Sequence, residues 1–339
     1  MRLRYLLSVL WLLCALDVRA AETYVFKFAT LAPTGSTWMN IIDDWARQVE
    51  NDSHGRLTFK MYPGGVAGDE TDVLRKIRFG QFHGGAFTGY GIGHVYSQAR
   101  VLEMPFLFRN IAEIDHVRRH VMPAIESGFR GNGYELLGWM EVGFVHFFSR
   151  TPIRNLDDLR QRRIWLWQGD PLGQAFFDAT QIAPVPLSIT DVYTSLSTGM
   201  IDTVYSTPLG TIAMQWHNKT AYVTDIPMAN GIGALIVTQK FYNNLPKDLQ
   251  RLLKSTGRAA GERLVAATRA DNAKSIRVLK QHGLQFMMQE KDVDPVELLR
   301  IRDQAAQALA TSGYIPQPVF DRVRVLLDDY RRKKPGSDP

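Results

Sequence analysis

One cysteine occurs in the 339 residues, Cys14, and it lies inside the N-terminal apolar stretch. Beyond that stretch the chain can form no disulfide, offers no thiolate nucleophile and supplies no cysteine to a metal. The signatures H-E-x-x-H, G-x-S-x-G and G-x-x-x-x-G-K-[ST] are also missing, so the common zinc, serine and nucleotide chemistries have no anchor. After the N-terminus no apolar run reaches the ~20 residues that a spanning helix needs. The formal charge of +6 comes with Lys and Arg interspersed among Asp and Glu. Without a basic stripe carrying interleaved aromatics, nucleic acid is not an expected partner. No fixed-period repeat and no low-complexity linker is present. His116 and His120 stand four apart, but Arg118 and Arg119 lie between them and no carboxylate does, so they read as surface histidines. The pairs Asp43-Asp44 and Asp157-Asp158 sit near helix starts, where the helix dipole explains them. Gly89-Tyr90-Gly91-Ile92-Gly93 lacks the dinucleotide spacing and reads as a tight mobile loop. No catalytic residue, metal or cofactor is expected, and the chain does not read as an enzyme.

What is there begins at the N-terminus. Arg2 and Arg4 precede an apolar run from Tyr5 to Leu16, and Val18-Arg19-Ala20 places small residues at the −3 and −1 positions of a cleavage site. This is the layout of a signal peptide over residues 1–20, with an uncleaved anchor as the alternative. An exported chain without cysteine points to a bacterial periplasm. At the other end, Arg331-Arg332-Lys333-Lys334 followed by Pro-Gly-Ser-Asp-Pro is expected to be a basic flexible tail over 329–339.

The length exceeds what one hydrophobic core usually supports, so two lobes are expected. Tyr24 to Ala29 reads as a strand. Trp38 to Asn51 has helical spacing after a Ser36 or Thr37 cap, Arg56 to Tyr62 alternates, and Asp69 to Arg78 is helical with Gly80 as its stop. The rhythm restarts after Thr151-Pro152-Ile153, with a short helix at 155–159, a strand at 163–168, a helix to Thr180, a strand at 185–187 and a helix at 190–198. Alternation of this kind defines an α/β fold. From Pro246 to about Gln281 the pattern is helical throughout, roughly 50 Å at 1.5 Å per residue, long enough to serve both lobes. Gly257 and Gly261 are points where it could bend, and two consecutive helices would fit equally well.

Aromatic and small polar residues collect at the ends of the expected strands: Trp38, Phe87-Thr88 with Tyr90, Trp165 and Trp167, Tyr205 and Thr207. Loops converge at strand ends in open α/β sheets, and ligands bind there. Trp165 and Trp167 are two apart on a strand and face the same side. With Val145, Asp170 and Trp216 these residues make up the candidate ligand-binding set.

Longer stretches carry a resemblance. Leu31-Ala32-Pro33 with Trp38, Leu57-Thr58-Phe59 through Pro63-Gly64-Gly65, and Val101 to Arg109 are among them. So are Arg150 to Ile153 with Asp157 to Arg160, Asp191 to Asp202, and Phe241 to Pro246. Together they resemble the solute receptors of tripartite ATP-independent periplasmic (TRAP) transporters, of the C4-dicarboxylate-binding type. The resemblance implies a two-lobed binding protein with a long helix spanning both lobes and ligand held between them. Lobe I would comprise 22–145 plus about 235–270, and lobe II 146–234 plus about 271–328. It implies delivery of a small molecule to a membrane permease of small and large subunits, with a helical-repeat periplasmic protein as a further partner in divergent members. The alternative is a periplasmic receptor that presents its ligand to a sensor or protein partner.

Relatives of this type hold the ligand carboxylate with an arginine. The matching position here is Trp165, a second arginine position is Val145, and an asparagine position is Thr207. The usual dicarboxylate mode is therefore not expected to transfer. Three solutes remain: a hydrophobic or amphipathic (lipid-like) one, an organic acid held atypically, or a cation over the indoles with Asp170 or Glu103 as counter-charge. If the tryptophans are lobe core instead, Arg100, Arg163 or His146 would reach the cleft.

Overall fold

A computed structural model describes residues 22–333. The expected signal peptide, Cys14 and the last six residues lie outside the described residues. In chain order the first elements are β1 (Tyr24–Thr30), α1 (Thr37–Asp52), β2 (Leu57–Tyr62), α2 (Glu70–Arg78), β3 (Gly84–Thr88), α3 (Gly89–Val95) and α4 (Ile111–Gly131). Next come β4 (Tyr134–Ser149), α5 (Leu156–Arg160), β5 (Trp165–Trp167), α6 (Pro171–Thr180), β6 (Val185–Leu187), α7 (Val192–Thr198), β7 (Thr203–Ser206) and α8 (Pro208–Ala213). The chain ends with β8 (Tyr222–Thr224), β9 (Ala229–Thr238), α9 (Gln239–Asn244), α10 (Lys247–Gln281), β10 (Gln285–Met287), α11 (Pro295–Thr311) and α12 (Gln317–Lys333).

Most strands join one sheet, in the order β10-β8-β4-β9-β3-β1-β2, with β7 also paired to β4. The parallel strands β1, β2 and β3 lie at one end, and β7, β8 and β10 lie at the other. The antiparallel pair β4 and β9 runs between them, and this joins two lobes. The small parallel sheet β5-β6 is tied to the second lobe by a bridge from Ile164 to Thr203. The register of β4 on β9 slips twice, between Leu136 and Gly138 and between Glu141 and Gly143.

The long helix is one unbroken element of 35 residues. It packs on α1 in the first lobe and on α8 in the second. Gly257 and Gly261 do not break it. A Cβ at Gly261 would stand 2.6 Å from the Trp139 carbonyl oxygen, and one at Gly257 would stand 3.0 Å from Leu137 Cβ. The two glycines, four apart on one face, let the helix lie against the backbone of β4.

Other expectations shift by small amounts for local reasons. Ser36 is the cap of α1, accepting from the Met39 amide at 3.2 Å. Gly89 to Gly93 are not a mobile loop but buried turns of α3, whose glycines admit the side chains of Glu103, Glu70 and Tyr314. Residues 329–333, expected in the tail, are helical, and Arg331 bonds both carboxylate oxygens of Glu113. Among the described residues no helix is long and apolar enough to cross a membrane.

Candidate functional site

The loops at the strand ends surround a cavity of about 180 Å³ between the lobes. All eleven residues of the candidate set line it: Trp38, Phe87, Thr88, Tyr90, Val145, Trp165, Trp167, Asp170, Tyr205, Thr207 and Trp216. Trp38 sits in the first turn of α1 and donates its indole N–H to Thr268 Oγ1 at 2.9 Å. Phe87 and Thr88 end β3, and Tyr90 opens α3. Trp165 stacks on Tyr205 with centroids 4.8 Å apart and meets Trp216 edge-on at 5.4 Å. Trp167 lies 5.6 Å from Trp165 and stacks on Tyr90 at 4.4 Å.

Core and cleft are not alternatives for the two β5 indoles. Trp165 is 1% exposed and packs with Leu196, Ile201 and Val204 of the second lobe, yet it also lines the cavity. Its N–H is spent on the Leu187 carbonyl at 2.9 Å. Trp167 instead reaches the other lobe: its N–H points between the Asp69 oxygens, at 3.1 and 3.0 Å. Asp69, the cap of α2, also accepts from Ser188 Oγ at 2.7 Å and from the Ile189 amide at 3.1 Å. Tyr90 donates to the Gln168 carbonyl at 2.8 Å. These contacts hold the first lobe against the second.

The charges around the cavity are mostly committed. Arg100 is buried and bonds Glu103 through Nε at 2.7 Å. It also bonds both oxygens of Asp170, through Nη1 and, at 3.2 Å, through Nη2. Burial opposes its charge, but Asp170 and Glu103 hold its pKa above the usual value. Burial raises the Glu103 pKa against the pull of Arg100. Asp170, expected as a free counter-charge for a cation, is thus taken up by Arg100, and it also caps α6 at the Leu172 amide. Glu141 is held by Arg269 through Nε and Nη2, both at 2.8 Å. Neither of the other two basic candidates lines the cavity: Arg163 is exposed beside Asp202, and His146 is buried with Nδ1 on the Thr224 carbonyl. Thr207 Oγ1 caps α8 at the Gly210 amide.

Sequence reasoning missed Glu70, a buried acid of the first lobe beside Asp69. It accepts from the Thr88 amide, the Thr88 hydroxyl and the Gly91 amide at 2.7 to 2.9 Å. Burial pushes its pKa up to about 8, against the pull of those three donors. It stands at the start of a helix, where acids are common, so its position gave no signal. Met140 and Met214, also missed, form part of the remaining apolar wall.

Two lobes on a shared sheet, a long helix against both and a cavity between them define the class of a periplasmic solute-binding receptor. The model of the bacterial extracellular solute-binding proteins, family 7 (DctP), matches residues 28–298, and the chain belongs to that family. It is similar to the ectoine/5-hydroxyectoine-binding periplasmic protein UehA of Ruegeria pomeroyi, with 25% identity over 72% of this chain and 79% of that one. Its fold matches the TRAP periplasmic solute-binding protein of Ralstonia eutropha with bound (S)-2-acetolactate: TM-score 0.80, 20% identity, 90% of this chain and 99% of that one. It also matches one from Pseudomonas putida F1 with bound D-glucuronate: TM-score 0.78, 23% identity, 89% and 97% covered.

Proposed function

We propose that this chain is the receptor that captures a small ring-bearing organic solute in the inter-lobe cavity and hands it to the small and large membrane subunits of a TRAP permease. One observation carries the ligand assignment. Arg100 is the cation among the cavity's lining residues, and two carboxylates already hold it, while Trp165, Trp167, Tyr205 and Tyr90 form a continuous aromatic wall. A cavity of ~150 Å³ accepts benzene. The cavity here, about 180 Å³, therefore suits one ring with a short substituent, and in this arrangement it has no room for the acyl chain of a lipid-like solute. Burying a ring of ~150–250 Å² at ~25 cal/mol per Å² contributes roughly 4–6 kcal/mol before the costs of ordering.

The relatives named for acids support a second reading, in which an organic acid displaces Asp170 from Arg100. Thermal-shift and calorimetric titration of the purified receptor with uncharged aromatic compounds and with succinate separates the two. Uncharged aromatics binding more tightly than succinate supports the first reading, and the reverse order rejects it. Mass spectrometry of co-purifying solute gives the identity directly.

Export and the lobe divide belong to the same proposal. The basic, apolar and small-residue succession over 1–20 supports cleavage after Ala20, which N-terminal sequencing of the periplasmic protein tests. The register slip of β4 beside Gly143 supports a divide near 145, and its partner Gly231 supports a return crossing in β9 a few residues before the expected 234.

A further inference from the structure

A smaller cavity of about 70 Å³ adjoins the first. The two share Arg100, Glu103, Val145, Asp170, Tyr205 and Gly231 in their walls. Asn230, near the start of β9, lines the smaller one and is 2% exposed. Its Nδ2 has no hydrogen-bond partner. An amide donor buried without a partner is unfavourable by ~1–3 kcal/mol, so such a group in a native fold calls for an occupant. Tyr205 supplies a second donor. Its hydroxyl accepts from the Trp167 amide at 3.2 Å, which leaves its own proton unspent among the described residues.

The surroundings select what those donors can meet. Phe176, Phe177 and Met228 make the rest of the wall apolar. Asp170 and Glu103 border the chamber, so a ligand carboxylate would meet like charge. One water occupies ~30 Å³ in the liquid, so the chamber has room for a group of two or three heavy atoms.

We infer that the chamber is a specificity subsite for an uncharged hydrogen-bond acceptor, a carbonyl or hydroxyl oxygen on a short substituent of the ring, received by Asn230 Nδ2 and Tyr205 Oη. This rests on the ring-bearing solute proposed for the main cavity. The subsite selects among rings of equal size, which an apolar wall alone cannot do.

Acetophenone and α-methylstyrene have nearly the same shape and differ in a carbonyl oxygen replaced by a methylene, which makes them matched probes. Titration calorimetry on the receptor should show acetophenone binding about tenfold or more tightly, the factor that ~1.4 kcal/mol supplies. Asn230→Leu should bring the two probes close to parity. Tyr205→Phe, which preserves the stack on Trp165, should reduce the preference by a smaller factor. Equal binding of both probes to the native receptor, or a preference that survives both substitutions, overturns the subsite and makes the chamber a water pocket. Failure of both probes to bind overturns the ring-bearing solute, and the subsite falls with it.

Discussion

Asp69→Asn isolates the contact that joins the lobes. The native carboxylate takes three donors from the second lobe, Trp167 Nε1, Ser188 Oγ and the Ile189 amide, besides the Glu70 amide in its own helix. Asparagine caps a helix about as well as aspartate, so α2 should keep its start. It brings one carbonyl oxygen and an NH₂ group, however, so the NH₂ would face donors where an acceptor is needed. In the parted state all of these groups return to water. The relevant quantity is therefore the net worth of each bond, ~0.5–1.5 kcal/mol. Losing two of the three weakens closure by roughly 1–3 kcal/mol, about a 5- to 150-fold drop in affinity for the co-purifying solute. The chain beyond residue 20 contains no cysteine, so one engineered cysteine in each lobe accepts spin labels without background. Pulsed electron resonance should then show a broader, longer inter-lobe distance in the variant, with the melting temperature of the ligand-free protein little changed. Unchanged distances and unchanged affinity would refute the reasoning. A large loss of ligand-free stability would show that Asp69 serves only its own helix.

Asp170→Asn keeps the α6 cap but leaves the Arg100 guanidinium with Glu103 as its one carboxylate partner, so calorimetry should detect benzoate or succinate binding that the native receptor lacks. Trp165→Ala should lower stability by ~3–5 kcal/mol in denaturant unfolding, because it empties a packed site and leaves the Leu187 carbonyl unpaired. Gly261→Ala, which would gain ~1 kcal/mol in an exposed helix, should instead destabilise by ~1–3 kcal/mol, since the new methyl meets the Trp139 carbonyl. Glu70 is raised from 4.5 to about 8 on folding. Between those values the native state keeps a proton that the unfolded chain has released, so its contribution to stability falls as pH rises. Glu70→Gln should flatten that fall in melting curves recorded from pH 5 to 8.

The aromatic wall was legible because it obeys a local rule: residues at the C-terminal ends of strands face the converging loops. Trp165 and Trp167 needed only the two-residue period of a strand to be placed together. The long helix was legible from its apolar spacing, but Gly257 and Gly261 were ambiguous, because a glycine that bends a helix and one that admits a neighbouring backbone look alike in sequence. Pairings across large separations left no trace. Nothing near Arg100 marks Asp170 as its partner seventy residues on. Asn230 sits at the edge of an apolar run, where its missing partner shows only once β9 is beside β4. Glu70 was hidden by its position, since acids at helix starts are common.

The seam between the long helix and β4 has a mechanical consequence. With Gly138, Gly257 and Gly261 in backbone contact, the helix cannot roll or slide over that part of the strand without collision. Flexing is then left to the segment beside the second register slip, where Gly143 has φ of +108° and the Asn272 side chain clasps the Val142 carbonyl. A pivot confined to so few residues turns a small change of torsion angle into a wide swing at the rim. The mouth through which a solute enters would be governed from beneath its floor.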